Sequence, residues 1–75
     1  MDIHRLIKMA NEIGAFFESA ADRADAVKSI ATHLRNFWDP RMRTQLIEYA
    51  RHADGELKDL VKEAVLSLDG NRHAT

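Results

Sequence analysis

The sequence contains no cysteine. Disulfide staples, thiolate zinc sites, cysteine-ligated iron–sulfur clusters and cysteine nucleophiles are thereby excluded. Proline occurs once, and the three glycines, Gly14, Gly55 and Gly70, stand too far apart to cradle a phosphate. Neither charge sign is in clear excess, with eleven basic residues against twelve acidic ones. No global positive field therefore draws the chain to nucleic acid or to an anionic membrane. No apolar run approaches the roughly 18 residues that a bilayer span requires. Polar residues also break the opening MDIHRLIKMANEIGAFF every few positions, unlike the core of a secretion signal. These absences predict a soluble, cytoplasmic protein that lacks covalent staples. At 75 residues it is one domain at most. A core this small leaves three routes to stability: close helix packing, self-association, or a permanent partner.

What is present is helical periodicity. With 45% hydrophobic and 31% charged residues, the composition is that of a globular chain. The predicted fold class is all-α, a small antiparallel bundle of about four short helices. Residues 1–70 form a single helical domain and residues 71–75 a flexible C-terminal tail. The first helix is expected from Ile3 to Ala20, capped by Asp2. Its apolar residues Ile3, Leu6, Ile7, Ala10, Ile13, Gly14 and Phe17 recur with a 3.6-residue period. Met9 and Phe16 widen that stripe to an arc of about 180°, beyond the ~100° that covers one side of a core. Such an arc implies two neighbours, or one neighbour and a partner chain. The second helix is expected from Arg23 to Trp38, capped by Asp22, with Ala24, Val27, Ile30, Ala31, Leu34, Phe37 and Trp38 facing the core. Asp39 leaves it because a residue before proline is pushed out of the helical region. Asp39 then caps a third helix with Pro40 at its first position. The fourth helix is expected from Glu56 to Leu68, capped by Asp54 and ended by Gly70.

Groupings that carry chemistry are scarce. No pair among His4, His33, His52 and His73 falls at metal-ligand spacing on one helix face. His4, His33 and His52 fall on polar faces as solvated side chains. The isolated serines and threonines have no glycine elbow to expose them as nucleophiles. Arg35, Arg41, Arg43 and Arg51 cluster on the second and third helices, which admits a small helical DNA-binding or regulatory module as an alternative function. A homodimeric interaction protein is the other alternative.

The stretch FWDPRMR, Phe37 to Arg43, holds the only tryptophan and the only proline. A corner between helices explains most of it. Trp38 precedes the cap and Arg43 follows in the first turn, the spacing of a hydrophobic staple, here an indole covered by a guanidinium. Two features exceed that explanation. A corner needs no tryptophan, and Arg41 and Arg43 lie where the helix dipole disfavours positive charge. Trp and Arg are also the residues most enriched at interface hot spots.

The block Met9 to Phe17, MANEIGAFF, together with His33 to Arg43, HLRNFWDPRMR, and a Leu-rich last helix from Leu57 to Leu68, resembles the delta subunit of the soluble NAD-dependent, molybdenum-containing formate dehydrogenases. The resemblance runs in the same order over nearly the whole chain. It implies a non-catalytic accessory subunit, with no catalytic, cofactor-binding or metal residue of its own. Molybdopterin, iron–sulfur clusters, FMN and NAD are expected only in partner subunits. The implied partners are the alpha, beta and gamma subunits, the large alpha subunit first among them, with a homodimer conceivable for the isolated chain. Nucleic acid and membrane are not expected partners. The expected interface residues are Phe16, Trp38, Arg41 and Arg43, with Asp39 and Pro40 shaping the corner.

Overall fold

In a computed structural model the chain folds as four helices: α1 (Ile3–Phe17), α2 (Arg23–Phe37), α3 (Pro40–His52) and α4 (Asp59–His73). The structure describes residues 2–20, 22–52 and 55–73, with 69–73 as backbone only. Each of the first three helices starts where an aspartate satisfies a free N–H of the first turn. The Asp2 carboxylate accepts from the His4 N–H at 3.0 Å, Asp22 from Ala24 at 2.9 Å, and Asp39 from Met42 at 3.0 Å. No helix among the described residues is long and apolar enough to cross a membrane.

The core is one apolar cluster to which all four helices contribute. Leu6 and Ala10 of α1, Ile30 and Leu34 of α2, Leu46 of α3, and Val61, Ala64 and Val65 of α4 are sealed from solvent. The packing of α2 on α4 is the most extensive, and α3 on α4 follows. Helix α1 touches α2, α3 and α4. That accounts for most of its wide apolar arc: three neighbours within the chain use it, rather than two. Gly14 is required by the closest of these approaches. A β-carbon there would collide with a γ-methyl of Val61, which is itself fully buried.

The fold departs from expectation at several helix ends and on one face of α2. Helix α1 ends at Phe17 rather than Ala20, and α2 at Phe37 with Trp38 as its extended C-cap. Phe37 does not face the core but is exposed, as is Ala24, while Ala26 takes the buried position. Ala24 lies on the side of α2 opposite Ala26, Ile30 and Leu34, whereas Phe37 shares their angular sector but is the last residue of the helix, where the chain passes into its extended cap. Helix α4 begins at Asp59 rather than Glu56, and the expected Asp54 cap lies outside the described residues. Its backbone also runs on past Gly70 to His73, over the first part of the expected tail.

The late start of α4 has a physical cause in Asn11. Its side-chain amide donates to the Glu56 carbonyl at 2.8 Å and accepts from the Lys58 N–H at 3.0 Å. The Tyr49 hydroxyl accepts from the Glu56 N–H at 3.1 Å. With these backbone groups paired to side chains, the segment stays outside the helix as a turn and inserts Leu57 into the core. The Lys58 carbonyl then accepts the first helical bond of α4, from Lys62 at 2.8 Å. An exposed ion pair from Lys58 to Glu18, at 3.2 Å, adds little to this tie.

Two substitutions test this packing. Asn11→Ala leaves the Lys58 N–H and the Glu56 carbonyl unpaired and should lower unfolding free energy by about 1–3 kcal/mol. Gly14→Ala forces α1 off Val61 and should cost about 1–3 kcal/mol. Urea unfolding followed by circular dichroism measures both.

Candidate partner interface

The corner between α2 and α3 is built by Asp39, Pro40 and Arg43. Asp39 caps α3, and Pro40 takes its first position. The Arg43 guanidinium reaches back and donates to the carbonyls of Leu34 (3.4 Å), Arg35 (3.0 Å) and Trp38. These carbonyls lie at the C-terminal, electronegative end of α2, where that of Leu34 also accepts from the Trp38 N–H at 3.1 Å. A cation that the dipole of α3 disfavours is thus held by the dipole of α2. The staple differs in kind from the expected one: Arg43 meets the backbone carbonyl of Trp38, not the face of the indole. Trp38 itself is 5% exposed and joins the core cluster. Of the expected contact residues, Trp38 and Arg43 are therefore largely spent inside the chain, while Phe16 and Arg41 stand exposed.

Phe16 is 78% exposed and Phe37 is 74% exposed, the two large hydrophobic side chains given to solvent among the described residues. They flank one face made by α1 and α2. Phe16 meets Phe17 edge to face, with ring centroids 5.0 Å apart. His33 meets Phe37 with centroids at 4.8 Å and a tilt of 41°. Phe17 and His33 both line the two open grooves between these pairs. Half-buried Met9 and Ile13 line the first groove, with Trp38 beside them. The face is thus an apolar strip that crosses from one helix to the other.

His33 is not the solvated side chain expected from its polar-face position. It is half-buried, and its Nδ1 is buried with no hydrogen-bond partner. Phe37 and His33 were both missed as site residues. The signal was present in their i, i+4 spacing, which brings two planar rings together on one helix. The basic cluster, by contrast, shrinks on folding. Arg43 is committed to carbonyls and Arg51 lies 3.7 Å from Glu48, which leaves Arg35 and Arg41 of the four. Two guanidinium groups are few for phosphate-driven affinity to nucleic acid.

A family model described as NADH-dependent formate dehydrogenase delta subunit, FdsD, matches residues 5–65. The chain belongs to that delta-subunit family. The matched span of the family runs from α1 into α4 and takes in the whole aromatic face and the corner. Neither a curated protein nor a solved structure matches the chain.

The corner predicts a separation between stability and surface. Arg43→Met strips charged donors from three carbonyls and should destabilise by about 1.5–3 kcal/mol, with Arg43→Lys partly restoring it. Trp38→Ala should cost about 3–5 kcal/mol as a buried truncation. Arg41→Ala and Phe16→Ala should change stability by less than about 0.5 kcal/mol. Thermal melts of these five variants check this ranking.

Proposed function

We propose that the chain is a non-catalytic accessory subunit of an NAD-dependent formate dehydrogenase. It binds the large catalytic assembly and supports that assembly's stability, its construction, or the installation of its molybdenum cofactor. The observation that carries this is the exposed aromatic strip, Phe16 and Phe37 beside half-buried Phe17, on a chain whose core is already closed without them. Contiguous apolar surface of this kind marks an interaction site. In a family of enzyme subunits, the natural cover is a larger subunit of the same enzyme, with the alpha subunit first in line.

In this reading Phe16 and Arg41 touch the partner directly. Trp38 floors the groove behind Phe16, and Arg43, with Asp39 and Pro40, fixes the corner that presents Arg41. The redox cofactors of the reaction, molybdopterin, iron–sulfur clusters, FMN and NAD, belong to the partner subunits. The absence of any cysteine from this chain supports that division for the clusters. The site of action is the cytoplasm.

The test is co-purification of the assembled enzyme through a tag on the alpha subunit, with Phe16→Ala or Arg41→Glu in this chain. The expected result is a loss of roughly fivefold or more in retained chain for each, from removing a contact worth about 1 kcal/mol or more. Full retention of both variants would place the docking surface elsewhere.

A further inference from the structure

The two grooves of the aromatic face differ in one respect beyond their rings. Each carries a single charged side chain, and the two are opposite in sign. Glu12 lines the groove beside Phe16 and not the one beside Phe37; Lys28 lines the groove beside Phe37 and not the other. Both side chains are exposed, and neither has an ion pair among the described residues. Elsewhere opposite charges meet across elements, Arg23 with Glu63 at 2.9 Å and Lys58 with Glu18 at 3.2 Å. Between the grooves stand Phe17 and His33, with the Nδ1 of His33 buried and unpartnered. The face is therefore apolar at its centre and bipolar at its ends, with an unused polar atom in the dividing wall.

Resting on the reading that this face docks a larger subunit, we propose that its occupant is a single segment of that subunit with a matching bipolar pattern. Two apolar side chains of the segment enter the two grooves. A basic residue meets Glu12 at one end and an acidic residue meets Lys28 at the other. Charge of opposite sign at each end fixes the direction in which the segment lies, a specificity that apolar contact alone does not supply. A second copy of this chain fits less well. A two-fold axis that paired Glu12 with Lys28 would set wall against wall and groove against groove, leaving both grooves unfilled.

The experiment is co-expression of the full enzyme complex, purified through the alpha subunit, with Glu12→Lys, Lys28→Glu or both in this chain. Each reversal places like charges together, and retention should fall roughly tenfold. Glu12→Gln should give a smaller loss in the same direction. The double variant should also be poorly retained, because the charges of a foreign segment stay fixed. Thermal melts of the full-length variants should match the parent, since neither residue has a partner to lose. Retention of both single variants at the parent level would overturn the proposal, and so would recovery in the double variant, the signature of a second copy. Phe16→Ala and Phe37→Ala report on the underlying docking face. If these detach while the charge variants bind like the parent, the face stands and the bipolar occupant is wrong. If all of them bind like the parent, both fall.

Discussion

The contact between the Arg43 guanidinium and the last carbonyls of α2 is the constraint on which the corner between α2 and α3 depends. A helix end presents acceptors without partners, and burying one beside a tight corner is costly unless something donates to it. Here the donor comes from the next helix, and it comes with a charge. One side chain therefore satisfies the end of α2, ties it to the first turn of α3, and holds the cap residue Trp38 by its backbone. The indole can then turn into the core while its neighbour Phe37 is turned out. Burial of Trp38 and exposure of Phe37 are two sides of one local geometry: adjacent residues where a helix gives way to an extended cap cannot face the same way.

The same geometry divides the surface from the scaffold. Residues of the motif block around α1 split cleanly. Ala10 and Gly14 are consumed by packing, Asn11 by the connection before α4, and Met9, Ile13 and Phe17 sit half in the core and half on the groove. Phe16, the one large apolar side chain of that block left exposed, touches Phe17 edge to face and takes no part in the core. In the corner block, Leu34, Trp38, Asp39 and Arg43 are committed, while His33, Phe37 and Arg41 are not fully used. Phe16 of the first block and His33 and Phe37 of the second line the two grooves of one face.

The helices were legible in the sequence because period and caps agree: Asp2, Asp22 and Asp39 each precede an amphipathic run, and each caps it. What sequence does not carry is the third dimension of a neighbour's backbone. Asn11 reads as a polar-face residue because only the fold brings Glu56 and Lys58 to it. Arg43 reads as a partner for an indole because the carbonyls it binds are made available by the turn itself. Val65 and Ala26 are buried by the mutual rotation of α2 and α4, which no stripe on a single helix fixes. Of the expected contact residues, Phe16 and Arg41 remain on the surface, outside the apolar core. Trp38 and Arg43 moved to the scaffold because hydrophobic bulk and charge, read along a line, do not say which way they point.

The amide of Asn11 bridges positions 45 and 47 residues further along the chain. During synthesis, therefore, α1 emerges long before the backbone that its amide is built to hold, and before Val61, against which its glycine rests. Until then its greasy side has no finished seat. The nascent chain is committed to waiting, and the aromatic face acquires its final shape only when translation is nearly over. A product truncated before Glu56 would carry both motif blocks without the contacts that seat α1.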